Sequence, residues 1–190
     1  MFLSLLLAAC ANQMEPARQA LAAAQTAVDA SAADAGQYMP EHLKSLQARL
    51  GTLKTAFEQK DYATVLSTAP ALTSDAKSVA QEAAAKKADA EKLLAQQWTQ
   101  LSAAVPAMLE AVKTRVRDIE KSKHAAKASH LADAKKAVGE ASSLWDKAAA
   151  AHTSGDLAGA NSSGQEAQAK VQSAAEILKL KLATVATASK

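Results

Sequence analysis

The chain has 190 residues, 49% of them hydrophobic but only 3% aromatic, and a net charge of +3. Alanine supplies roughly a quarter of it, far above ordinary usage, and a single cysteine rules out an internal disulfide. The length suits one domain or two small ones, and a weak positive charge without aromatic interleaving speaks against a nucleic-acid partner.

The chain opens on an uncharged run, Met1 to Leu6, followed by Leu7-Ala8-Ala9-Cys10. These four residues resemble the lipobox of bacterial lipoproteins. The resemblance implies that a diacylglycerol is joined to the Cys10 sulfur through a thioether. It also implies that the peptide before Cys10 is cut away and the new N-terminus acylated. Small side chains before the cut let a peptidase hold the chain extended, and only a thiol forms the thioether. Residues 1–9 then read as a truncated signal peptide, since no basic residue opens them and the apolar stretch is at the short end of the usual length of about 7–15 residues. Residues 10–15 become a lipidated leader. No run of about 18 apolar residues follows, so attachment to the membrane rests on the lipid. Ala11 stands where Asp would signal retention in the inner membrane, which by the same resemblance points to the periplasmic face of the outer membrane.

No segment alternates apolar and polar residues with β-branched enrichment. Ala, Leu, Gln, Glu and Lys dominate instead, and these lose little side-chain entropy in a helix. The expected fold is all-α: about six Ala-rich antiparallel helices in an elongated bundle. A first helix starts at Pro16, with Leu21, Ala24 and Val28 on its apolar face, and breaks between Asp34 and Pro40. In the second, Leu43, Leu46, Leu50, Leu53 and Phe57 fall at spacings of 3 and 4 on one seam. Gln59-Lys60-Asp61 reads as a tight turn with Asp61 as the next N-cap. The third helix carries Tyr62, Val65, Ala69, Leu72, Ala76, Val79 and Ala83 towards residue 101, bent at Pro70. Ser102 is suited to cap a fourth, with Val105, Met108, Leu109, Val112, Val116 and Ile119. Because the apolar phase runs on from Leu101, a single long helix bent at Pro106 is the alternative. The fifth shows Leu131, Ala134, Val138, Ala141, Trp145, Ala148 and His152. Ser154-Gly155-Asp156 turns the chain into a sixth with Leu157, Ala160, Gly164, Ala167, Val171, Ala174 and Leu178. Thr184 to Lys190 is a loose tail.

The second half repeats features of the first. A shift of 95 carries Asp61-Tyr62-Ala63 onto Asp156-Leu157-Ala158, a shift of 90 carries Pro16 onto Pro106, and a shift of 88 carries His42-Leu43 onto His130-Leu131. A duplicated three-helix unit follows, residues 16–101 and 102–183, with residues 184–190 as the tail. Tyr38-Met39-Pro40-Glu41-His42-Leu43, then the Leu seam, then Lys60-Asp61-Tyr62-Ala63 and an Ala-rich helix also resemble the bacterial lipoproteins of the domain of unknown function 4398 family. That family opens on a Tyr-Ala-Pro-Glu-Leu-like segment and turns at Gly-Asp-Tyr, where this chain has Lys60 in place of the Gly. The resemblance spans roughly residues 14–95 and implies an envelope lipoprotein with no known catalytic residues.

Chemistry-bearing groupings are sparse. His124 and His130 are six apart, outside the spacings of 3–5 that metal-binding helices use, and His42 and His152 stand apart from them. No metal, cofactor or small-molecule substrate is therefore expected. Serines lie outside any nucleophile-elbow pattern, and carboxylates sit close to Lys or Arg as on solvated helix faces. Trp98 and Trp145 are candidate partner contacts, because Trp dominates many interface hot spots, though each also suits a gap between Ala-rich helices. Lys121, Lys123 and Lys127, in the one clearly basic stretch, are candidates too. Lys190 is a candidate cell-wall contact, since the major peptidoglycan-linked lipoprotein uses a C-terminal Lys for its covalent bond. The leading expectation is a non-catalytic periplasmic lipoprotein acting as a helical spacer or adaptor for envelope proteins. A peptidoglycan-contacting lipoprotein and a helical carrier or inhibitor are the alternatives.

Overall fold

In a computed structural model the described residues are 6–122 and 128–182. Among them all regular structure is α-helical, in five helices: α1 (Leu6–Tyr38), α2 (Pro40–Glu58), α3 (Tyr62–Lys121), α4 (Ala128–Thr153) and α5 (Leu157–Ile177). The chain divides into two compact units, Met1–Ala90 and Glu91–Lys190. The boundary falls before the expected one at 101/102, and inside a helix.

The expected count of about six becomes five, because the third and fourth expected helices are one. Nothing interrupts α3, which runs for 60 residues. Ser102 does not cap a new helix; its hydroxyl donates back to the Thr99 carbonyl at 3.1 Å, as a mid-helix serine does. No Gly, Asn or Asp lies between Leu94 and Pro106 to break the apolar phase. The long-helix alternative is the one that forms, with Pro106 lying inside α3. Upstream, the expected break over residues 34–40 shrinks to Met39 alone, at φ −146° and ψ 52°. Pro40 is the cause, since its ring excludes the residue before it from the helical region. Helical bonding continues around the corner, Met39 N–H to Ala35 O at 2.9 Å and Leu43 N–H to Met39 O at 3.1 Å. α1 also begins ahead of Pro16, at Leu6.

Unit 1 closes α1, α2 and the first part of α3 around one core. Ala17, Ala24, Val28 and Ala35 meet Leu46, Leu50 and Leu53 of α2 and Val65, Ala69, Leu72, Ala76 and Val79 of α3. Unit 2 closes the rest of α3, α4 and α5 around Leu101, Val105, Leu109, Val112, Ala134, Val138, Ala141, Ala167, Val171 and Ala174. Small residues in both seams let helix axes approach closely. At Gly164 α5 comes close to α3, for an added Cβ would lie 3.0 Å from Leu101 Cδ1. Ion pairs clip the same helices together at the surface: Lys87 to Asp34 at 3.1 Å and Arg49 to Asp75 at 2.7 Å in unit 1, Lys170 to Glu140 at 2.6 Å in unit 2. Each is half-exposed and worth about 1 kcal/mol or less. The Lys170 bond holds the Glu140 carboxyl below its usual range.

The buried positions recur at fixed intervals. Val65, Ala69, Leu72, Ala76, Val79 and Ala83 match Ala160, Gly164, Ala167, Val171, Ala174 and Leu178, each pair 95 apart and each residue buried. Ala17, Ala24 and Val28 match Val105, Val112 and Val116 at 88. Pro16 and Pro106, 90 apart, are therefore out of register. The two intervals differ because α4 has 26 residues where α2 has 19, an excess of seven. Pro40 and Ala128 open these helices 88 apart; Glu58 and Thr153 close them 95 apart. Seven residues turn a helix through almost whole turns, so the same face stays inward.

The two turns between helices are bonded alike. Lys60 N–H reaches Phe57 O and Asp61 N–H reaches Ala56 O; Gly155 N–H reaches His152 O and Asp156 N–H reaches Ala151 O. This is the Schellman closure, which needs a left-handed residue at its penultimate place. Gly155 occupies it at φ 84°, but in unit 1 Lys60 does, at φ 63°. Asp61 and Asp156 then cap α3 and α5, accepting from Thr64 N–H at 3.1 Å and Gly159 N–H at 2.8 Å. The Thr64 hydroxyl, donating at 2.6 Å, and the Thr64 amide hold the Asp61 carboxyl below its usual range. A left-handed Lys costs about 1 kcal/mol that Gly avoids. Lys60→Gly is accordingly expected to raise stability by about that amount and Gly155→Ala to lower it similarly, as read from urea melts followed by far-UV circular dichroism.

Candidate functional site

Two places in unit 2 gather chemically distinctive side chains. The first is an aromatic stack. Trp145 and His152 lie seven apart on α4, so they share a face about 10.5 Å apart along the axis. Trp98, from α3, stacks on Trp145 with centroids 5.3 Å apart and planes 4° from parallel. It stacks on His152 at 4.5 Å and 12°. The two spacings together nearly fill the gap between Trp145 and His152, so Trp98 is inserted between them. Both indoles are half-buried, while His152 is exposed at the end of the stack. Trp98 and Trp145 are thus each other's partners, which places them in the helix–helix packing.

Asn161 of α5 is buried close by in sequence register, one position past Ala160. Its amide nitrogen donates to Leu94 O of α3 at 2.9 Å and to Leu157 O at 2.8 Å. Both neighbours are carbonyls, which fixes the amide orientation. Its Oδ1 is buried without a hydrogen-bond partner. Leu66 holds the equivalent place in unit 1, 95 residues earlier.

The second place is a groove between α3 and α4, with a volume of about 390 Å³. Val116 and Val138 form its floor, and Glu110, Lys113, Arg117 and Lys135 its walls. Lys113 pairs with Glu110 at 3.2 Å, and Lys135 pairs with Glu120. Arg117 donates from Nη2 to the Thr114 hydroxyl at 3.0 Å. Among the described residues no carboxylate pairs with Arg117, although its guanidinium offers five donors.

Of the other candidates, Lys121 is the exposed last residue of α3. It lies four residues past Arg117, on the same helix face as Arg117 and Lys113. Lys123, Lys127 and Lys190 lie outside the described residues. Cys10 belongs to α1. Among the described residues no group of three His, Cys, Asp or Glu side chains is placed to hold a metal ion, and no helix is long and apolar enough to cross a membrane. No family model matches the chain, and no curated protein or solved structure matches it.

Sequence reading missed the groove because its members are far apart in the chain. Lys113 and Arg117, four apart with Val116 beside them, look like any solvated helix face until α4 supplies Lys135 and Val138. His152 was legible only as a seam residue. Its spacing of seven from Trp145 was the signal that an inserted ring could be held there.

Proposed function

We propose that this chain is a bacterial lipoprotein, fixed by lipid on Cys10 at the periplasmic face of the outer membrane, and that its helices serve as a non-catalytic spacer or adaptor for envelope proteins. The observation that carries the reading is Leu7-Ala8-Ala9-Cys10 with its single cysteine. The likeness of residues 14–95 to the family of Ala-rich envelope lipoproteins supports it. So does the position of the core: Ala17, the first buried residue among those whose burial is described, lies seven residues past Cys10, about 10 Å of helix. Unit 1 would begin next to the membrane surface, without a long tether.

The reading includes a duplication. Each unit is taken as a copy of one antiparallel three-helix element, in which α3 serves as third helix of the first copy and first helix of the second. The matched buried positions, the like-bonded turns at Lys60 and Gly155, and the paired caps Asp61 and Asp156 support this. Neither catalysis, nor a cofactor, nor a small-molecule substrate is assigned to it.

Replacing Cys10 tests the anchor. Several acyl chains contribute about 0.8 kcal/mol per buried methylene, so Cys10→Ser is expected to abolish incorporation of labelled palmitate and to move the protein from the membrane pellet to the soluble fraction. Unchanged pelleting of that variant would remove the lipoprotein reading.

A further inference from the structure

The α3–α4 groove of unit 2 combines an apolar floor with an uncommitted guanidinium. Val116 and Val138 are mostly covered, at 8% and 9% exposure, yet both contribute to the groove's surface. Lys113 and Lys135 are already neutralised by Glu110 and Glu120. Arg117 is not, its bond to Thr114 being to a neutral hydroxyl. The groove therefore carries one uncompensated positive charge, and a planar one suited to two parallel bonds with a carboxylate. Lys113 and Lys135 are taken up by their own carboxylates, so the groove has one open guanidinium, matched to a single carboxylate rather than to the run of charges on a nucleic acid or an anionic lipid surface. A peptide suits it, because an acidic side chain can meet Arg117 while an aliphatic one beside it meets the floor. The floor of two valines has room for an aliphatic side chain and is too small to shelter an acyl chain.

We infer that this groove docks an acidic segment of a partner protein, with a carboxylate on Arg117 and a neighbouring aliphatic side chain on Val116 and Val138. The inference extends the adaptor reading but does not depend on lipidation, so its test uses the full chain carrying Cys10→Ser. The probe is a short fluorescein-labelled peptide of alternating Glu and Leu, followed by polarisation at low ionic strength. Arg117→Ala removes both charge-assisted bonds of the fork and is expected to weaken binding about tenfold. Arg117→Lys, which keeps the charge but not the fork, should fall between. Arg115→Ala removes the same charge from an exposed position of α3 that does not line the groove, and is expected to change affinity less than about twofold. Both arginines are exposed, so the variants should keep the parent's circular dichroism. Equal losses in the Arg115 and Arg117 variants would overturn the inference in favour of diffuse charge, as would undiminished binding of a peptide with Gln in place of Glu, or no binding of the Glu peptide. Phosphatidylglycerol vesicles that bind with the same dependence on Arg117 would overturn the peptide as occupant.

Discussion

Leu72→Ala is expected to lower stability by about 2–5 kcal/mol, a large part of what a domain of this size possesses. Leu72 is 1% exposed and, among the described residues, the largest fully buried side chain. It sits where α3 meets α1 and α2, in a seam whose other members are mostly alanine and valine. Such a seam has few long side chains able to swing into the space that truncation leaves, so the cavity term should persist. Leu93→Ala removes the same atoms from a side chain that is 54% exposed, and should shift the melt by no more than about 0.5 kcal/mol. Urea melts of the two variants side by side, followed by far-UV circular dichroism, give the comparison. Equal shifts would mean that unit 1 does not close over Leu72.

Trp98→Ala is the second variant expected to act strongly, this time in unit 2. Truncation deletes one ring and strips a stacking face from two others, Trp145 and His152. Buried aromatic truncations cost about 3–5 kcal/mol; because Trp98 is half-buried, about 2–3 kcal/mol is expected. Trp145→Ala loses only one stacking contact and should cost less. The double variant should cost less than the sum of the two single ones, by the roughly 0.5–1.5 kcal/mol that an aromatic pair adds beyond its area. The near-UV circular dichroism of the parent should carry a coupled indole signal that either single variant abolishes. Strict additivity would show that the indoles fill separate gaps and owe each other nothing.

Much of the helical order was legible in the sequence because it rests on local rules. The 3-and-4 spacing from Leu46 to Leu53, the caps Asp61 and Asp156, and the corner before Pro40 each depend on neighbours within a few residues. The continuity of α3 was less legible. Ser102 and Pro106 are sound start signals, but a signal acts only where the preceding helix has reason to stop, and none exists before Ser102. Lys60 was visible as a departure from Gly, and its cost emerged only with its left-handed backbone. The groove at Arg117 and the insertion of Trp98 between Trp145 and His152 are tertiary facts. Their residues belong to different helices, and no spacing within one helix could have joined them.

The seven extra residues of α4 bear on how such a protein can change size. Inserting seven residues returns a helix to within about 20° of its starting face, whereas three or four leave it about 40–60° off and two or five swing the inward alanines towards water. Growth of a hairpin in this chain is thus least disruptive in steps of two turns, about 10.5 Å each. A lineage built on this plan lengthens its hairpins like a telescoping rule with fixed stops, one stop at a time while every core residue keeps its inward orientation.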